Sequence, residues 1–141
     1  MGKINIGRWL LAGIITGIII DIIEGVLNGV ILADQWTAAM KDLGKPALNA
    51  SEVIMFNIYG LILGLTAAWF YAAIRPRFGA GPMTAVYAAI AIWVPGYLLA
   101  NAVPAILDIL PARMMAILIV VGFFEIIVAT LAGTYFYKEE A

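Results

Sequence analysis

The chain has 141 residues, 65% of them hydrophobic and 12% charged, with a mean hydropathy of +1.03. Soluble domains carry roughly 45–50% apolar and about 25% charged residues, so a water-soluble globular protein is excluded. A net charge of −1 and a pI near 5.2 offer no basic surface for nucleic acid. Cysteine and histidine are both absent, which removes disulfides and the thiolate and imidazole ligands of most metal and haem sites. The chemistry left is that of carboxylates, amides, hydroxyls and phenols, so neither a metal nor a cofactor is expected.

Four apolar runs of about 20 residues or more fill the chain as one transmembrane domain, 1–141. Lys3 and Arg8 before the first run have the outline of a signal peptide. The run continues well past the usual h-region of roughly 7–15 residues and no small-x-small cleavage site comes after it, which predicts a retained first span. That span covers about 9–32 and is read as one unbroken helix from Gly7 to Gln35. In the loop 33–52, Asp34 is placed to cap a short amphipathic helix carrying Trp36, Met40 and Leu43, ended by Gly44 and Pro46; an irregular interfacial loop fits equally.

The second span covers about 53–74, entered through Asn49 and Ser51, and Arg75 to Pro82 reads as a tight turn. The third covers about 83–107, with Pro95 expected to kink it, and Asp108 to Pro111 forms a second turn. The fourth covers about 114–137 and closes on Tyr135, Phe136 and Tyr137. Lys3, Arg8, Arg75, Arg77 and Lys138 fall on one side, against Lys41, Lys45 and Arg113 on the other, which predicts both termini in the cytoplasm. The expected fold is an all-α four-transmembrane-helix bundle in a bacterial inner membrane.

Polar residues inside these spans share faces with small ones. Gly13, Gly17, Asp21, Gly25 and Gly29 recur at every fourth residue of the first span, with Glu24 and Asn28 beside them. The same 100° arithmetic groups Asn57, Gly60, Gly64 and Tyr71 on the second span, and Gly122 with Glu125 on the fourth. The glycines read as GxxxG-type packing positions, within the chain or across a homodimer. By depth, Asp21 and Glu125 fall within a turn of the bilayer midplane, with Glu24 slightly further out, while Asn28, Asn57 and Asn101 share a level roughly 10 Å away. Tyr59, Trp93 and Tyr97 are expected to pack or anchor; Tyr71 is placed with the asparagines as a cavity-lining residue.

No Lys or Arg stands inside a predicted span. Neighbouring carboxylates in an apolar setting disfavour ionising together, so Asp21, Glu24 and Glu125 are expected to share a proton or a cation, or to face water. This predicts a small, non-enzymatic membrane carrier or binding protein with a midplane carboxylate cluster for a proton, cation or cationic amphiphile. The alternative is a non-catalytic subunit of a larger membrane complex, its acids and small faces serving assembly.

Two resemblances bear on this. The stretches Trp69 to Pro82 and Asn28 to Trp36 resemble segments of small bacterial membrane proteins that carry no assigned activity, which implies a bacterial four-span protein and nothing about chemistry. By architecture the chain is similar to the small multidrug resistance transporters, four short helices with an essential acid in the first, a role that Glu24 or Asp21 would fill. It departs from them in local sequence, in its long first loop and in its third acid, Glu125.

Overall fold

Asn5 opens the first helix by accepting a hydrogen bond from the Arg8 backbone N–H at 3.0 Å. In the computed structural model, which describes residues 3–139, helix α1 runs Ile6–Val26 and then widens into a π-helical segment, Leu27–Ile31. The expected single helix to Gln35 is therefore interrupted: the chain bends at Leu32 and α2, Ala33–Asp42, starts as a separate element. Leu32, not Asp34, occupies the cap; Asp34 lies in the first turn of α2, where it meets the positive end of the helix dipole. Gly44, at φ +65°, lets the chain leave α2 in a left-handed conformation.

Helix α3, Ala50–Phe78, begins with a capping box: Glu52 N–H donates to Asn49 Oδ1 at 3.1 Å and Asn49 N–H to Glu52 Oε2 at 2.8 Å. It continues through Pro76, so the turn expected from Arg75 starts later. Proline removes one hydrogen bond there, yet Gly79 N–H still reaches the Arg75 carbonyl at 2.8 Å and completes the last turn. Helix α4, Pro82–Trp93, passes at Pro95 into a second π-helical segment, Val94–Leu99, and on to α5, Ala100–Ile106. Helix α6, Ala112–Thr134, stops short of Tyr137. There is no β-sheet among the described residues.

Four stretches, Ile6–Ile31, Ala50–Phe78, Pro82–Ile106 and Ala112–Thr134, are long and apolar enough to cross a bilayer. With Ile14, Ile18, Ile22 and Val26 exposed along α1 and Val120, Phe124 and Val128 along α6, each helix turns a row of large apolar side chains outward. This is a multi-pass integral membrane protein, an all-α four-helix bundle with large apolar side chains on its outer surface.

The interior is stacked in three layers. Ala12, Ala68, Tyr71, Ala72, Ala85, Ala88 and Tyr137 fill the terminal end, beside both chain ends and the α3–α4 turn. Ile20, Ala67, Ala89, Ile92, Tyr97, Ile126 and Ala129 fill the middle. Leu27, Leu32, Ala39, Met114, Met115 and Leu118 fill the opposite, loop end, where α2 lies across the bundle. At the terminal end Arg75 pairs with Glu139 at 3.3 Å and lies 5.6 Å over the Tyr137 ring, which meets Tyr71 edge-on at 5.8 Å.

Small residues set the spacing of α1 against α3 and α6. A Cβ on Gly64 would run into the Gly17 backbone, and one on Gly13 or Gly17 would meet Leu65 or Leu61 of α3. Gly133 of α6 comes equally close to Ala12 and Thr16 of α1. Gly25 and Gly29 differ: nothing stands within 4 Å of where their side chains would begin. Before Gly60, the loop-end third of α3 (50–59) is exposed at every position.

Candidate functional site

The acids lie where the middle layer gives way to the loop-end layer. Glu125 of α6 is only 3% exposed. One of its oxygens, Oε1, accepts from the Tyr97 hydroxyl at 2.9 Å, and Oε2 has no hydrogen-bond partner among the described residues. Gly122, one turn before Glu125, leaves the space that the Tyr97 ring occupies. The carboxyl group of Glu24 on α1 lies near Glu125. Asn28 donates through Nδ2 to Glu24 Oε2, and its Oδ1 accepts from the Trp36 indole N–H at 2.8 Å. Two hydrogen-bonded runs, Tyr97–Glu125 from the kinked third span and Glu24–Asn28–Trp36 toward α2, therefore come close to each other.

Both side-chain donors to the pair stand on the π-helical segments, Asn28 on the first and Tyr97 on the second. A π turn holds one extra residue and re-aims the side chains beyond it, which is why such turns gather at functional sites. Pro95, with no N–H to give, accounts for the second of them.

Asp21 is placed differently. Its carboxylate presses on Gly60 of α3, in the space that a side chain at 60 would fill, and is only partly buried. Among the described residues it makes no hydrogen bond with either glutamate. Among the described residues no group of three or more His, Cys, Asp or Glu side chains is arranged to hold a metal ion. The structure thus brings Glu24 and Glu125 near each other and leaves Asp21 at the α1–α3 seam.

The asparagines expected at one level do not meet. Each turns its amide onto the carbonyl four residues back: Asn28 on Glu24 at 3.1 Å, Asn57 on Val53 at 2.8 Å, Asn101 on Tyr97 at 2.8 Å. Only Asn28 reaches the acids. Asn57 is exposed on the outer part of α3, and Tyr71, expected to line a cavity, is packed in the terminal-end layer with its hydroxyl accepting from Gly81 N–H at 3.3 Å. Sequence reasoning treated Tyr97 as packing and Trp36 as an interfacial anchor. Their roles depend on the two π turns, which no residue spacing announces.

Basic residues within the four spans, Arg8, Arg75, Arg77 and Arg113, occupy only the terminal turns. The glutamates therefore face each other with a phenol and an amide as donors and no cation from the chain. Two carboxyl groups near each other need a proton or a cation between them, since two bare carboxylates repel.

No family model, curated protein or solved structure matches the chain. The function has to be argued from the site itself.

The Trp36 indole fixes which way the Asn28 amide points, because its N–H needs the oxygen and so turns the NH2 group to Glu24. Trp36→Phe should lower stability by about 1 kcal/mol and free that amide to rotate. Unfolding midpoints of the purified variant check the first effect, and amide resonances of a labelled Asn28 check the second. An unchanged, single-state amide would show that α2 does not orient it.

Proposed function

We propose that the protein is a small, non-enzymatic membrane carrier or binding protein whose Glu24–Glu125 pair takes up a proton, exchanged for a cation or for the head of a cationic amphiphile. One observation carries this: a deeply buried carboxyl group with one oxygen lacking a donor among the described residues, near a second carboxyl group in a bundle whose spans hold basic residues only in their terminal turns. Buried ionisable groups of this kind in a membrane span are costly and mark ion or proton pathways. The charge asymmetry of the loops supports cytoplasmic termini, and the bacterial inner membrane is the setting that the two resemblances imply.

Purified protein in weakly buffered phosphatidylcholine nanodiscs with a pH-sensitive dye tests the reading. Adding sodium chloride, then dodecyltrimethylammonium chloride, should release protons from the wild type with one of the two and none from the double variant Glu24→Gln, Glu125→Gln. Equal release from the double variant would sink the proposal.

A second reading, a non-catalytic subunit of a larger membrane complex, is favoured by the exposed loop-end third of α3. The mass of the particle extracted gently from its native membrane separates the two: one or two 15.1 kDa chains fit a carrier, foreign subunits fit assembly.

A further inference from the structure

The segments that meet at the terminal end hold five basic residues, Lys3, Arg8, Arg75, Arg77 and Lys138, while their two acids, Glu139 and Glu140, fall last in the sequence. Four of the five bases are exposed. Arg75 differs, with its side chain only 19% exposed. Its guanidinium lies 5.6 Å over the Tyr137 ring, and that ring is held edge-on by Tyr71 inside the terminal-end layer. Aromatic packing therefore places this cation, whatever anion it meets.

Glu139 satisfies the guanidinium poorly. Its Oε1 meets one nitrogen, Nη1, at 3.3 Å. Charge-assisted bonds are usually about 2.7–2.9 Å long, and an arginine fork readily takes two oxygens. The Arg75 Nε is buried and has no acceptor among the described residues. The Tyr137 hydroxyl, on a residue only 4% exposed, is likewise buried without a partner among them. Two side chains in contact thus each keep a polar atom unmet, and such atoms call for an explanation.

A group with several anionic oxygens supplies one. Another single carboxylate would repeat the Glu139 contact, and a cation would be repelled. Arg75 belongs to the last turn of α3, the level at which hydrocarbon gives way to head groups. The exposed Lys and Arg residues of the same end attract anions to this face. Phosphate meets each condition: it is abundant at that depth and matches the arginine fork in shape.

We propose that Arg75 is a phosphate-binding site, with Glu139 the internal anion that the phosphate displaces. The phosphate accepts from Nε and Nη1 of Arg75 together and from the Tyr137 hydroxyl. It comes either from a phospholipid head group or from free phosphate in the aqueous phase. The residues after α6 then act as a latch, docked through Glu139 when phosphate is scarce and released when the site fills. This site is separate from the glutamate pair and does not rest on the carrier reading.

The test follows the Arg75 Nε–H resonance of isotope-labelled protein in phosphatidylcholine nanodiscs, assigned by its absence from Arg75→Lys. The exposed Arg77 serves as the internal control. Phosphatidylglycerol replaces phosphatidylcholine in one titration, and inorganic phosphate enters the buffer in the other. The Arg75 resonance should shift to saturation with at least one of them, and the titrant that succeeds identifies the source. Glu139→Gln removes the competing charge and should lower the half-point by about threefold or more. Tyr137→Phe keeps the ring under the guanidinium but loses the hydroxyl, and should raise the half-point by about threefold or more. No shift with either titrant, in the wild type and in Glu139→Gln alike, would overturn the site. An Arg75 response no larger than that of Arg77 would do the same, since it would report only diffuse surface charge. A half-point unmoved in either variant would overturn the arrangement of ligands proposed.

Discussion

Gly64→Leu should be the most damaging single substitution in the α1–α3 seam, lowering stability by about 3 kcal/mol or more. At Gly64 the obstacle to a side chain is the backbone of Gly17, which no rotamer change can move aside. The two helices would have to separate, taking Gly13 from Leu65 and Asp21 from Gly60 with them. Gly25→Leu, one step along the same fourfold ladder but facing open space, should leave stability within about 0.5 kcal/mol of the wild type. Reversible unfolding in mixed micelles with increasing sodium dodecyl sulfate measures both. Equal losses at the two sites would mean that α1 and α3 stay in contact along their whole length.

Replacing Glu125 by alanine should cost about 2–3 kcal/mol, and by glutamine close to nothing. Alanine strips the buried Tyr97 hydroxyl of its acceptor, leaves Glu24 without its neighbour and opens a void beside Gly122. Interhelical hydrogen bonds within membranes are worth about 0.6 kcal/mol on average, because separated helices find other partners, so much of the loss comes from the void. Glutamine keeps both contacts: its carbonyl accepts from Tyr97 while its NH2 group donates to the Glu24 carboxylate, standing in for the shared proton. The same unfolding assay distinguishes the two variants. A glutamine variant as unstable as the alanine one would show that the pair is not held by a proton-like bridge.

The all-α architecture and the four spans were legible because length and hydropathy alone decide what can cross a bilayer. Face arithmetic also picked out the small-residue faces, and the structure packs two of them together as the α1–α3 seam. Gly13, Gly17, Gly60 and Gly64 lie in unbroken α-helix, where a fourfold spacing is a true neighbour relation, and there glycine sits against glycine. The same arithmetic put Asn28 beside Glu24, where the two are hydrogen-bonded. A fixed 100° step does not count the residue that each π turn inserts, so it could not foresee Trp36 meeting Asn28. Pro95 announced a kink without saying that it would carry Tyr97 to Glu125. Asn57 shares a face with Gly60, as calculated, but the helix has left its partner by then and the face looks onto lipid. Tyr71 fits its calculated face too; its neighbours turned out to be Tyr137 and the chain ends, contacts that no single-helix calculation contains.

The π-helical segment at Leu27–Ile31 is, in mechanical terms, a dislocation. Everything beyond it is turned by about 100° relative to an uninterrupted helix, for the length of a single residue. That rotation carries the start of α2 round to the side where the Trp36 indole meets the Asn28 amide. The extra residue is absorbed within one turn, so the first span sets Trp36 against Asn28 while α1 before Val26 keeps its α-helical register.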